Sequence, residues 1–359
     1  RWFSDPTATV DSGSFDFNRL GGTQKAGRVV AELSGDWHRV SMQIVKHYSL
    51  AWADRQGKIT LGISAYNFSA TAREIQKTGI VLKSKLKQRG VSLRLIPNAE
   101  PALNTAASHH NKLGLSDNHV ELLVIRSSGG KAIIAESIGA QNITALAARD
   151  QARPKTDSFV GMLPPKLARI MVHLTGLNSG RILDPFCGTG VLLQEAALLG
   201  FDVYGSDLSE KMVSYSNENL EWIRGRYDLG VSMNVQLGDA METAWQPPID
   251  AVSTETYLGQ PFSAPPSPTK LAEVRGNCNH IISRFLANIG AQIAPGTPLC
   301  IAVPAWRSTD GTLTHLPLIN DVESLGFTHS PLQHVREGQL VYYRENQVVA
   351  REILLLTKT

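Results

Sequence analysis

Cysteine is scarce in this chain of 359 residues. Cys187, Cys278 and Cys300 are odd in number, far apart and set in apolar or Gly-rich surroundings. That excludes a disulfide scaffold and fits reduced thiols. No CxxC or Cys/His cluster is present, and the adjacent pair His109 and His110 lacks the helical spacing of a metal-binding pair, so no metal is expected. No run approaches the roughly 20 apolar residues that cross a bilayer, and no basic-then-apolar leader stands at the N-terminus, so no membrane association is expected and a cytoplasmic location is. Aromatics make up only 7% of the chain against 42% apolar residues, the balance of an ordinary globular protein of about two domains. An initiator Met is also missing, so the first domain is expected to be incomplete at its start.

Acidic residues are thin in the first part of the chain. Residues 1–150 hold 19 Lys and Arg against 12 Asp and Glu, whereas residues 151–359 hold 16 against 20. One half is therefore suited to an anionic partner. Much of the excess sits between Ser69 and Arg89, where Ala72, Ile75, Gly79, Leu82 and Leu86 recur at helical spacing and Arg73, Lys77, Lys83, Lys87 and Arg89 occupy the other faces. A nucleic-acid surface and a merely solvated face are both open for this helix. Strand-like runs follow at Val91–Ile96, His119–Ser127 and Lys131–Gly139, the last two turning at Gly129-Gly130 as a hairpin, so the first domain is expected to be α+β.

A polar, Pro-containing linker runs from Ala145 into a helix after Pro164-Pro165, with a domain boundary expected near Pro154. Beyond it strands alternate with helices: strands at Arg181–Phe186, Val203–Ser206, Val231–Leu237, Asp250–Thr254 and Pro298–Pro304, helices near 190–199, 209–223 and 269–289. That order predicts a mainly parallel sheet covered on both faces. The last segment, Leu340–Lys358, reads as an antiparallel hairpin.

The stretch "RILDPFCGTGVLLQEAALLG" (Arg181–Gly200) is a strand, a Gly loop and an apolar helix, and ligands of open parallel sheets bind beyond the carboxyl ends of their strands. Any nucleotide-like cofactor fits so far. A nicotinamide site would prefer a third glycine near Leu193, and Asp184 just before the loop is badly placed beside a pyrophosphate. It suits a cofactor with positive charge, and S-adenosylmethionine carries an ammonium and a sulfonium. Asp207 closes the next strand 19 residues after Gly188, near the spacing of a ribose-binding acid, and Asp239 closes the third strand, where it would hold the adenine amine. Phe186, Gly188 and Gly190 complete the expected cofactor set.

The segments "DPFCGTG" and "LPPKLARIM" resemble the tRNA guanine-N2 methyltransferases that act on guanosine-10. The similarity extends through "RLGGTQKAGRVV" (Arg19–Val30), "ITLGISAY" (Ile59–Tyr66) and "RDQARP" (Arg149–Pro154). This resemblance implies an N-terminal α+β THUMP-like RNA-binding region over residues 1–153 and a Rossmann-like S-adenosylmethionine-dependent methyltransferase domain over 154–359, with tRNA as substrate. Relatives place DPPY after the fourth strand, to hold an exocyclic amine and stack an extruded base; this chain has "TETYLG" there. Matching the glycine puts Glu255 at the acid's place and Leu258 at the aromatic's; matching the aromatic keeps Tyr257 and leaves Thr254 for the acid. Glu255 is expected to accept a hydrogen bond from the amine and Tyr257 to stack on the base, with Gly259 admitting it. A guanine-N2 enzyme, an adenine-N6 enzyme acting on DNA or RNA, and a non-catalytic RNA-binding protein that keeps the cofactor site all stay open. Arg344 and Arg351 read as sheet-edge charges or RNA contacts, Lys166 and Arg169 as a solvated face or a contact for a carboxylate or phosphate, and Trp306 as a base-stacking or gap-filling ring.

Overall fold

The computed structural model describes residues 2–4, 7–11, 16–157, 162–335, 338–345 and 347–359. Residues 158–161 of the expected linker and Asn346 of the expected hairpin lie outside these. The chain divides into two compact units, Arg1–Arg19 with Thr23–Ala145, and Leu20–Gly22 with Leu146–Thr359. The break falls between Ala145 and Leu146, ahead of Pro154 and within a helix.

In the first unit, β1 (Trp2–Ser4) and β2 (Thr7–Ala8) form a short antiparallel ribbon. A five-stranded sheet then combines β3 (Lys25–Ser34), β4 (Ile59–Tyr66), β5 (Leu93–Leu95), β6 (His119–Arg126) and β7 (Lys131–Ala140) in the order β3-β7-β6-β4-β5. The β6–β7 pair is the antiparallel hairpin read at Gly129-Gly130, and Gly130 supplies the positive φ of +78° its turn requires. Helices α1 (Trp37–Ala51) and α2 (Ala72–Gln88) share one core with β4, β6 and β7, and α3 (Thr105–His110) is a short addition. α2 starts in a reciprocal cap, Thr71 Oγ1 accepting from Glu74 N while Glu74 Oε2 accepts from Thr71 N at 2.7 Å. Its buried stripe is Ile75, Thr78, Gly79, Leu82 and Leu86. Gly79 has no alternative, since a side-chain carbon there would lie 2.4 Å from Leu95.

The second unit opens with α4 (Ile143–Gln151), which straddles the break, and α5 (Pro165–Leu174). Its large sheet contains β8 (Arg181–Asp184), β9 (Asp202–Asp207), β10 (Met233–Leu237), β11 (Ala251–Glu255), β12 (Pro298–Arg307), β13 (Leu313–Thr314), β14 (Phe327–His329), β15 (Val341–Tyr342) and β16 (Val349–Lys358). The main order is β10-β9-β8-β11-β12-β16-β14, with β13 paired to β12 and β15 to β16. Strands β8 to β12 are parallel, and β16 runs antiparallel between β12 and β14. Helices α6 (Val191–Leu198) and α7 (Glu210–Tyr227) share one core with α5, and α8 (Pro268–Gly290) packs into a separate core with Leu183, Val252 and Val303. The expected terminal hairpin is present, with β15 antiparallel to β16 and Tyr342 opposite Arg351, but its two arms are unequal. β15 is a two-residue flank, whereas β16 is an interior strand, because Ala350, Ile353, Leu354, Leu355 and Leu356 bury both of its faces.

Two segments singled out by the sequence meet in this unit. A side-chain carbon at Gly21 would lie 2.7 Å from Lys166 O and 2.8 Å from Ile170 N, so only glycine lets the "LGGT" segment lie against α5. Arg149 and Arg169 both bind Glu195 of α6, whose side chain is 1% exposed; Arg169 Nε reaches Oε2 at 2.8 Å. Arg169 thus belongs to a buried ion cluster that ties α4, α5 and α6 together, and not to a solvated face. Trp306 is 1% exposed and fills the core. Cys187, Cys278 and Cys300 are buried free thiols. Among the described residues no helix is long and apolar enough to cross a membrane.

Candidate functional site

The sheet order reverses between β8 and β11, and a crevice opens there beyond the carboxyl ends of the strands. It is a cleft of about 1110 Å³ lined by Asp184, Phe186, Gly188, Asp207, Asp239, Glu255 and Tyr257 among others. Residues from four successive strand ends of the sequence thus share one cavity.

Asp184 closes β8 and is 2% exposed. Thr254 Oγ1 donates to its Oδ1 at 2.6 Å and Phe186 N at 3.3 Å. Burial nevertheless pushes its carboxyl up to about 7, with Asp207 and Glu255 adding repulsion. A cationic ligand group in this cleft would favour the ionised form. Without one, the folded state binds a proton that the unfolded chain has already released, so Asp184 stabilises fully below its ordinary value of 3.8 and this contribution is lost as pH rises through about 7. In thermal melts of ligand-free protein, the stability of the parent relative to Asp184→Asn is expected to fall between these pH values; a constant difference would contradict the assignment.

The loop after Asp184 is held from two sides. Gly188 N donates to Asp207 Oδ2 at 2.9 Å, and Ser209 N donates to Asp207 Oδ1 at 2.9 Å, so Asp207 is both a cleft carboxylate and the brace of the loop. Gly188 has φ +51° and nothing within 4 Å of where its side chain would stand, which leaves room for a ligand against the backbone. Gly190 is different. It caps α6 with φ +77°, and a side-chain carbon there would lie 2.9 Å from Ser216 Oγ, so it serves the contact of the loop with α7 and does not line the cleft. Asp239 accepts from Met241 N at 2.9 Å in a local turn while still facing the cleft. Phe186 sets its ring edge-on to Phe285 at 5.2 Å. These carboxylates and the open backbone at Gly188 fit a nucleoside cofactor with cationic groups.

At the far side, the two alignments of "TETYLG" separate. Thr254 is fully buried and bound to Asp184, so it cannot take the acid's place. Glu255 ends β11 with its side chain 16% exposed to the cleft, and Tyr257 is 40% exposed. Thr256 Oγ1 donates to Ala302 O at 2.9 Å, which anchors the turn between them. Gly259 lines the cleft, and its φ of +80° and the closeness of Val274 at 2.9 Å and Cys278 at 3.2 Å to where a side-chain carbon would stand show that its smallness also serves packing on α8. Sequence reasoning also missed the partner of Glu255. Arg351 Nε donates to Glu255 Oε1, and the arginine side chain is only 7% exposed, so Arg351 is no sheet-edge charge. One signal was available: a lone cation inside the apolar run of β16 demands a buried acid. The cleft is further lined by Phe262 and by Gln347, Val348 and Val349 from the chain leading into β16.

In the first unit Arg73, Lys77, Lys83, Lys87 and Arg89 are all exposed on or just after α2. Lys83 and Lys87 line a groove of about 560 Å³ with Lys58 and Arg94, beside the edge strand β5 and with no acidic residue in its wall. Arg73, Lys77 and Arg89 stand outside that groove.

Residues 153–252 match the family model described as "UPF0020: RMKL-like, methyltransferase domain". The tRNA (guanine(10)-N2)-dimethyltransferase of Methanothermobacter thermautotrophicus is 35% identical over 167 residues, 46% of this chain and 46% of that protein. The enzyme of the same name from Pyrococcus abyssi is 40% identical over 107 residues, 29% of this chain and 30% of its own. The matches thus span less than half the length of these curated relatives. Among solved structures, TrmN from Thermus thermophilus superposes with a TM-score of 0.53 at 18% identity, covering 98% of this chain and 88% of that one, which shows a shared fold. The second unit has the Rossmann-like fold of S-adenosylmethionine-dependent methyltransferases.

Proposed function

We propose that this chain, whose residues 153–252 carry a methyltransferase domain of the family just matched, methylates tRNA at a guanine N2 atom with S-adenosylmethionine as the methyl donor. The observation that carries the proposal is the single cleft in which Asp184, Gly188, Asp207 and Asp239 stand opposite Glu255 and Tyr257. The names of the curated relatives support guanine N2 as the target and tRNA as the substrate.

When bound, the cofactor supplies an electrophilic methyl group on a sulfonium. Asp207 would hold the ribose hydroxyls while keeping Gly188 N in place, Asp239 would accept from the adenine amine, and Asp184 would meet the ammonium. Glu255 would present a carboxylate oxygen to the exocyclic amine of the target base and orient its nitrogen toward the methyl donor; the thioether would leave as the N–C bond forms, and the amine would release one proton. Tyr257, exposed at the cleft, stacks on the base once it leaves its own stack. The rigid Pro-Pro pair of DPPY is absent here; the Thr256 bond to Ala302 fixes the turn instead. Positioning and removal of water are the main catalytic effects. Competition between tRNA and duplex DNA as methyl acceptors tests the substrate class, and preference for DNA would overturn it.

We assign the first unit to RNA binding as a THUMP-like region, with its basic groove meeting phosphates, and we place the protein in the cytoplasm, where its substrate is. Lys83→Ala with Lys87→Ala is expected to weaken tRNA binding about tenfold or more and to lower the salt dependence by about two contacts, while affinity for the cofactor stays the same. Filter binding across a salt series measures this. An unchanged slope would remove the groove from the RNA surface.

A further inference from the structure

Glu255 and Arg351 are 96 residues apart in sequence, and β12 lies between their strands. The register explains how they meet. Glu255 stands opposite Ala302 and Arg351 opposite Pro304, so all four side chains lie on one face, and the methyl group of Ala302 leaves a diagonal path for the guanidinium. Both charged side chains are largely buried and both line the cleft. Nε of Arg351 holds Oε1 of Glu255, and among the described residues no hydrogen bond engages Oε2. A carboxylate with one oxygen tied and the other open is a directional acceptor.

We infer that Arg351 is a positioning residue of the lip, fixing the Glu255 carboxylate so that its free oxygen meets the amine of the target base. This rests on the proposed role of Glu255. Neither residue falls within the region matched by the family model.

Burial favours the neutral form of Glu255 and Arg351 opposes that. Glu255 in turn repels the carboxylate of Asp184, at the end of β8. On α5, which packs against β11 and β12, the charged and titratable groups are Lys166, Arg169 and His173, and Arg169 is already bound to Glu195. Tyr257 follows on the lip, and Tyr342 of β15 stands opposite Arg351. Without Arg351, therefore, Glu255 takes up its proton at higher pH, and a protonated carboxyl is a poorer acceptor.

The test compares Arg351→Gln and Arg351→Lys with the parent by the pH profile of methyl transfer to tRNA and by ¹³C carboxyl titration, with the Glu255 resonance assigned through Glu255→Gln. Arg351→Gln is expected to move both the acid limb and the Glu255 titration to higher pH and to lower activity at neutral pH at least tenfold. Arg351→Lys, which keeps a charge, is expected to restore part of both, and cofactor affinity is expected to stay constant in all three. A Glu255 titration that does not move in Arg351→Gln, with activity lowered uniformly across pH, would overturn the inference while leaving the role of Glu255 intact. A titration that moves in a protein whose parent turns over no acceptor would overturn the role of Glu255 itself and reduce the pair to a structural contact.

Discussion

Asp207→Ala is expected to lower affinity for S-adenosylmethionine by at least about 100-fold. Two ribose hydroxyls lose an ionised acceptor, and hydrogen bonds to charged groups are worth about 1.5–3 kcal/mol each, so the loss is about 3 kcal/mol or more, against 1.4 kcal/mol per factor of ten. The substitution also frees Gly188 N, which Asp207 Oδ2 accepts at 2.9 Å, and so loosens the loop that approaches the ligand. Asp207→Asn keeps one acceptor oxygen and is expected to fall between the parent and the alanine variant. Calorimetric titration measures both. Unchanged affinity in Asp207→Ala would remove the ribose from the end of β9.

The second large effect is on turnover. Glu255→Gln is expected to lower kcat by about 10²–10³ with little change in cofactor affinity, the range seen when one preorganised group at a reacting centre is lost. The amide keeps an oxygen for Arg351 and the shape of the side chain, while removing the negative charge that orients the amine. Glu255→Ala is a blunter tool, because it leaves a buried guanidinium without its acid at about 3–5 kcal/mol of stability. Single-turnover kinetics at saturating cofactor separates chemistry from binding, and a kcat within threefold of the parent would remove Glu255 from the reaction.

The alternating strands and helices of the second unit were readable because β8, β9, β11 and β12 are largely buried on both faces and appear as short, mostly apolar runs, while the edge strand β10 is only partly buried. β8, β9, β10, β11 and β12 begin or end within a few residues of where the pattern puts them. The strand-end acids were readable for the same reason, since a carboxylate that follows such a run stands where ligands bind. What depends on sheet order was not readable. β16 reads as half of a hairpin, yet it enters between β12 and β14, and only that insertion brings Arg351 to Glu255. Gly190 was assigned to ligand contact because a glycine near a site suggests space, whereas it is required by Ser216; Gly259 lines the cleft and is also required by Val274 and Cys278. In the first unit β3 escaped notice because Val29 and Val30 are exposed and its alternation is broken by register shifts against β7.

The altered lip is the point on which the account turns, since Glu255 and Tyr257 stand in the cleft without the Pro-Pro geometry of DPPY. The most direct measurement is methyl transfer from labelled S-adenosylmethionine to unmodified bulk tRNA, followed by nucleoside analysis of the product. The account predicts N2-methylguanosine. Methyladenosine would contradict the target, and tight cofactor binding with no methylated nucleoside from any RNA would contradict the enzyme, making this protein an RNA binder that keeps the cofactor as a ligand.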